Sequence, residues 1–105
     1  MLVLPTKKKW FDMMLSGEKK EEYRKIKPYY ISRFKNIFDM YPYSAIPTGL
    51  DCKKIMFRNG YSKESPSFIA YCYLDIKTGK PEWGADPGVE YFTLKIDRIV
   101  WRWNR

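Results

Sequence analysis

The first half of the chain mixes short apolar runs with charged ones, and its periodicity predicts a strand followed by a helix. Leu2–Pro5 is typical of a short strand whose proline stands at the end, where a missing hydrogen-bond donor costs least. Thr6 is expected to cap a helix that closes at Gly17, a residue suited to the left-handed conformation. The apolar residues of this helix recur at helical spacing and are Trp10, Phe11, Met14 and Leu15.

A second strand and a second helix follow. Lys19–Ile26 is too polar for the centre of a sheet, so we expect a strand at a rim or along a polar groove. Pro28 fits the first turn of the next helix. Two prolines and a glycine then predict a loop over Tyr41–Leu50. The apolar stripe expected for the second helix consists of Ile31, Phe34, Ile37, Phe38 and Tyr41.

The second half of the chain predicts three strands. Lys54–Arg58 comes before Asn59-Gly60, a strong turn signal. Ser67–Ile76 is apolar on both faces, which favours a central position in the sheet, and Glu90–Asn104 is the last strand. Between these two strands the sequence predicts a turn and a loop, at Thr78-Gly79 and Pro81–Gly88.

The alternation of the last strand changes phase. Phe92, Leu94 and Ile96 share one phase, and the apolar residues that follow take the opposite one. This slip predicts a β-bulge near Asp97-Arg98. Trp101 and Trp103 follow the slip on the apolar phase, so we expect them to pack rather than to bind a ligand. Early helices and late strands, in a chain of 105 residues, predict a single α+β domain over residues 1–105 with a small curved sheet or barrel.

The charge and the composition limit the range of possible functions. Twenty Lys and Arg against twelve Asp and Glu give a net charge of +8, which favours a polyanionic partner, although a soluble basic surface would look the same. The absence of histidine excludes Ser-His and Cys-His nucleophile pairs and the commonest zinc ligand. Cys52 and Cys72 are expected to be buried free thiols of a cytoplasmic protein, and no segment is long enough to span a membrane.

The most informative stretch closes the first helix and opens the polar strand. On an extended segment Glu22 and Arg24 share one face, and Lys19 at the junction can direct its amine toward the same space. Gly17 beside them admits close backbone approach. Spacing alone leaves open both a ligand site and a solvated, self-paired strand.

These residues resemble a known family. Gly17, Lys19, Glu22 and Arg24 match the G-x-K-x-x-E-x-R signature of the ASCH domain, a branch of the PUA-like superfamily, and the order of the elements is similar as well. The resemblance implies a small, partly open β-barrel with two helices. It also implies a basic cleft, lined by the motif, that binds RNA or a nucleoside or nucleotide.

An enzymatic alternative remains open. One ASCH type removes the acyl group from N4-acetylcytidine with a Lys, a Thr and a Glu, and its Lys falls on Lys19 of this chain. Its Thr falls on Glu22, so this chain lacks the nucleophile. If the chain is a hydrolase of a modified nucleoside or of RNA, Lys19 and Glu22 are the expected catalytic pair. An adaptor that binds protein is a third possibility.

Residues outside the motif complete the predicted site. Trp83, in a loop rich in glycine and proline, is expected either to stack a base or to plug the open end of the barrel. Arg58 and Asn59 are expected to contact ligand. Tyrosines such as Tyr61 alternate with Lys and Arg, as on surfaces that stack bases and hold phosphates. Neither a cofactor nor a metal is expected, because phosphate-loop glycines and metal-ligand spacing are both missing.

Overall fold

The computed structural model describes residues 1–103, which form two α-helices, one 3₁₀ turn and a five-stranded sheet. The predicted α+β class is therefore confirmed. The elements, in chain order, are β1 (Val3–Thr6), α1 (Lys8–Leu15), β2 (Glu21–Arg24), α2 (Pro28–Lys35), β3 (Cys52–Asn59), β4 (Ser67–Thr78), a 3₁₀ turn (Pro81–Trp83) and β5 (Glu90–Trp103). The predicted last strand extends one residue further, and Asn104 lies outside the described residues.

The strands lie in the order β1-β3-β4-β5-β2. β1 pairs with β3 in parallel, and the other neighbours pair antiparallel. β4 is central, as its two apolar faces predict, and the polar strand β2 lies at an edge, as its charge predicts. β1 and β2 are the two edges of a sheet that is not closed, so within residues 1–103 the strands do not form a complete barrel.

One face of the sheet, here called the inner face, packs against both helices. α1 contributes Phe11 and Met14 to this core, and α2 contributes Phe34. Aromatic rings from two strands meet them, since Phe34 lies 5.1 Å from Phe92 and Phe11 lies 5.1 Å from Phe68, centroid to centroid. Burial of each such ring stabilises the fold by about 1.5–3 kcal/mol. Because of this burial, a short chain can hold a charged edge strand in place.

The start of α1 differs from the prediction. Its N-cap residue is Lys7, which makes no side-chain capping bond, and Thr6 is the last residue of β1. The Thr6 hydroxyl donates to the Leu4 carbonyl at 3.0 Å, so the prediction that Thr6 caps the helix is wrong. The end of α1 agrees with the prediction, because Gly17 has a φ of +87°.

α2 begins at Pro28, as predicted, but ends earlier than its apolar stripe. Phe34 is fully buried within the helix, and Phe38 is buried just after it. Tyr41 is 55 % exposed, so its predicted place in the stripe is wrong.

β5 contains two β-bulges where the sequence predicts one. Its register against β4 shifts at Asp97, as predicted, and again at Val100. Each extra residue reverses the inward–outward alternation, so the second bulge cancels the first. Trp101 and Trp103 therefore lie on the outer face of the sheet, 44 % and 36 % exposed, and the prediction that they pack is wrong.

The cysteines agree with the prediction in part. Both are free, but only Cys72 is buried, whereas Cys52 is partly exposed. Among residues 1–103, no helix has the length and apolar character needed to cross a membrane.

Candidate functional site

A cleft of about 410 Å³ opens where the ends of β1 and β2 meet the start of α1. The turn after β3 and the 3₁₀ turn form its other walls. Four of the predicted ligand residues line it and are Glu22, Arg24, Asn59 and Trp83. Three do not, and are Gly17, Lys19 and Arg58.

Lys19 lies beneath the cleft instead of opening into it. Its side chain is fully buried, and its Nζ lies 3.1 Å from Glu22 Oε1 and donates to the Glu21 carbonyl. The rings of Tyr23 and Trp10 lie 4.7 and 5.5 Å from the same Nζ. The amine already has an acceptor, a carboxylate and two ring faces around it, so direct contact between Lys19 and a ligand stays a prediction that requires these contacts to be released.

Glu22 joins Lys19 to Arg24. Its Oε1 faces Lys19, and its Oε2 accepts from Arg24 Nη2 at 2.9 Å. Glu22 and Arg24 share one face of β2, as the two-residue spacing predicts. The same Nη2 also donates to the Pro5 carbonyl at 3.0 Å and to the Thr6 hydroxyl at 3.2 Å. One carboxylate between two cations leaves this buried trio with a net positive charge under the cleft.

Burial and charge act in opposite directions on the two cations. Burial lowers the pKa of the Lys19 amine, and Glu22 offsets only part of that effect. Burial would also lower the pKa of Arg24, but Glu22 and the Tyr30 hydroxyl more than compensate, so that pKa is raised. Arg24 Nη1 donates to Tyr30 Oη at 3.1 Å, which fixes the guanidinium in one orientation. Arg24 is thus a rigid cation with 12 % of its side chain exposed.

A second charged group fixes the other side of β2. The Tyr23 hydroxyl donates to Glu21 Oε1 at 2.8 Å and accepts from the Lys80 backbone N–H at 3.0 Å. Lys77 pairs with the other oxygen of Glu21. Burial would raise the pKa of Glu21, but its bonds to Lys77 and Tyr23 lower it below the usual value. These contacts join the end of β4 and the segment after it to β2.

Close packing positions the 3₁₀ turn. Gly84 has a φ of +100°, and a Cβ there would lie 2.9 Å from the Trp10 ring. A Cβ at Gly79 would lie 2.7 Å from the Tyr23 ring. Only glycine allows these approaches, and they place Trp83 at the cleft, half-buried, with Lys80 Nζ 4.4 Å from its ring centroid. Trp83 therefore lines the wall and remains partly accessible.

The cleft combines cations with aromatic rings. Lys7 and Lys8 line it at the start of α1, where the first-turn amides have no capping side chain and the first turn contains no acidic residue. Lys8 also pairs with Asp12. Among residues 1–103, Glu22 is the only acidic residue of the lining, and Lys19 and Arg24 neutralise it. The ring-bearing residues of the lining are Trp10, Tyr23, Tyr61 and Trp83.

Trp10 and Tyr23 are aromatic lining residues that the sequence pattern does not identify as part of the site. Trp10 falls on the apolar stripe of the first helix and is half-buried, so periodicity assigns it to the core. Tyr23 lies between two motif residues without belonging to the signature. A tryptophan in the first turn of a helix that precedes a charged motif is a signal that could have identified this wall.

The position of Lys19 also affects the catalytic alternative. A hydrolase that uses Lys19 as a base needs the Lys19–Glu22 pair to open, because the amine does not line the cleft.

Among residues 1–103, no group of three or more His, Cys, Asp or Glu could hold a metal ion.

Comparison with known proteins identifies no relative: no family model matches this chain, and no curated protein and no solved structure matches it significantly. The family resemblance therefore depends on the motif residues and on the order of the elements.

Proposed function

We propose that this chain is a PUA-like domain of the ASCH type that binds RNA or a nucleotide in the cleft. The observation that carries the proposal is the composition of the cleft: two lysines at the start of α1 and the rigid Arg24 lie beside partly exposed aromatic rings, with one neutralised carboxylate. Phosphates and bases require these two kinds of partner.

Each part of a nucleotide has a counterpart in the cleft. A phosphate fits at Lys7 and Lys8, where uncapped helix amides add N–H donors. A base stacks on the accessible part of Trp83 or on Tyr61, which is 88 % exposed. Asn59 offers an amide for hydrogen bonds to a base edge.

The motif has a structural role in this proposal. Arg24 holds the ends of β1 and β2 together, and Lys19 holds Glu22 from below, so the charged trio shapes the floor of the cleft. The exposed ligand contacts come from residues around the motif.

Calorimetric titration with the four nucleoside monophosphates and with RNA trinucleotides tests the proposal. Trp83→Ala should weaken binding about fivefold or more, since stacking of one base contributes about 1–3 kcal/mol. Lys7→Ala should weaken binding of phosphorylated ligands and leave unphosphorylated nucleosides unaffected. The matched controls are Tyr43→Ala and Lys35→Ala, which change an exposed ring and an exposed amine outside the cleft. Unchanged affinity in both cleft variants, or no binding at low salt, would contradict the proposal.

A further inference from the structure

The outer face of the sheet carries exposed aromatic and basic side chains that the cleft does not include. Trp101 is opposite Ile69 on β4, and Trp103 is opposite Ser67. A shallow groove of about 420 Å³ runs beside Trp101, between Tyr71 and Val100. Contiguous exposed apolar area is a feature of interaction sites on protein surfaces.

Two cations lie near the Tyr71 ring on this face. Arg98 lies over the Tyr71 ring, with its Cζ 4.3 Å from the centroid, and Lys54 lies 5.7 Å from the same centroid. Arg98 is paired with Asp97 at 2.7 Å, but the other side of its guanidinium plane remains available because 59 % of the side chain is exposed. The result is a positively charged aromatic surface.

Arg58 belongs to this face as well. Its register partner on β4 is Ser67, which is opposite Trp103, and its Nη2 lies 3.9 Å from the Met56 sulfur. Among residues 1–103 Arg58 has no ion pair, and its buried Nε has no hydrogen-bond partner. An unpaired cation on the same face as two exposed tryptophans, one strand removed from them, is a candidate phosphate contact.

We infer that this outer face binds single-stranded nucleic acid, whose bases stack on Trp101 and Trp103 while Arg58 and Lys54 contact the phosphates. Alternate residues of a strand project to the same side about 6.6 Å apart, so the two indoles offer successive stacking positions. A second copy of the chain is disfavoured as the occupant, because two positively charged faces repel each other. The surface is separate from the proposed cleft and shares no lining residue with it.

Fluorescence anisotropy with a labelled twelve-nucleotide oligouridylate tests this inference on the full chain. Replacing Trp101 and Trp103 together by alanine should weaken binding at least fivefold, and the double phenylalanine variant should retain most of the affinity because a ring remains. Tyr43→Ala is the control for loss of an exposed ring. Circular dichroism of each variant verifies that the fold is intact.

Two further measurements sharpen the result. Arg58→Gln should reduce the slope of log K against log salt by about 0.7, the value for one phosphate contact on a single strand, and Lys35→Gln should leave the slope unchanged. The double alanine variant should bind nucleoside monophosphates as wild type does, so failure of the cleft proposal and failure of this inference are distinguishable. Any one of three results would overturn the inference: wild-type affinity of the double alanine variant, equal affinity for a duplex, or a dimer that only this variant disrupts.

Discussion

Arg24 Nη2 donates to the Pro5 carbonyl at 3.0 Å and thereby connects the two edge strands of the sheet through a side chain. Backbone pairing is absent between β1 and β2 in the described residues, so this guanidinium takes its place at one point. No other side chain can easily replace the Arg24 guanidinium, because it donates hydrogen bonds to four residues at the same time. These residues are Pro5, Thr6, Glu22 and Tyr30.

Arg24→Ala should therefore destabilise the fold by about 3–5 kcal/mol, the range for removing one partner of a buried ion pair. Arg24→Lys should recover only part of the loss, since an ammonium cannot reproduce the planar fork of donors. Urea unfolding followed by circular dichroism measures both. Asp12→Asn is the control, because it breaks the exposed Lys8–Asp12 pair and should cost about 0–1 kcal/mol. A loss for Arg24→Ala as small as this control would contradict the proposed role.

The sequence predicts the parts of this fold whose cause is local. Ser67–Ile76 is apolar on both faces and β4 is central, while Lys19–Ile26 is polar and β2 lies at an edge. Each pattern depends directly on what surrounds the strand. The left-handed Gly17 is likewise set by its own position at the end of a helix.

The remaining features depend on residues far apart in the chain. Whether Lys19 reaches the cleft or lies beneath it depends on Trp10 and Tyr23, whose rings enclose the amine. The sequence pattern does not reveal the second bulge, at Val100. This one extra residue moves Trp101 from the inner to the outer face of the sheet. Side-chain packing decides both cases, and a periodic pattern does not contain that information.

The buried amine makes stability depend on pH. Burial lowers the pKa of Lys19 below its usual value of 10.5, so between the folded and unfolded pKa values the unfolded chain binds more protons. The contribution of Lys19 to the free energy of unfolding should therefore rise with pH in that window and level off above 10.5. Lys19→Met removes the titrating group, so wild type should gain stability relative to Lys19→Met as the pH increases toward 10.5.

Urea unfolding of wild type and Lys19→Met across that pH range measures the difference. Tyr23 and Cys72, whose pKa values burial raises, act in the opposite direction in both proteins and cancel in the comparison. Lys20→Met, at an exposed neighbouring lysine, is the control for the loss of a lysine side chain. A difference between wild type and Lys19→Met that does not vary with pH would mean that the Lys19 amine is not desolvated.

The two cysteines should differ in reactivity. Cys72 is fully buried and burial raises the pKa of its thiol, whereas Cys52 is partly exposed on the neighbouring strand. Because the thiolate is the reactive form, a colorimetric thiol reagent at neutral pH should modify one cysteine rapidly and the other only on unfolding. Cys52→Ser should remove the fast phase and Cys72→Ser the slow one. Two equally fast phases in the native protein would show that the β3–β4 pair opens readily.

The last prediction concerns the wall that Trp10 and the 3₁₀ turn share. Gly84 and Gly17 both have positive φ values, so alanine at either position carries a left-handed strain of about 1–2 kcal/mol. Gly17 has open space around it, whereas a Cβ at Gly84 would lie 2.9 Å from the Trp10 ring, so only Gly84→Ala adds a steric clash. We expect Gly84→Ala to lower the melting temperature more than Gly17→Ala, and to change the tryptophan fluorescence of the native state as Trp10 is displaced. It should also weaken ligand binding in the cleft, while Gly17→Ala should leave that affinity unchanged because Gly17 does not line the cleft. Equal effects of the two substitutions on melting temperature and on fluorescence would show that the 3₁₀ turn does not pack on Trp10 in solution.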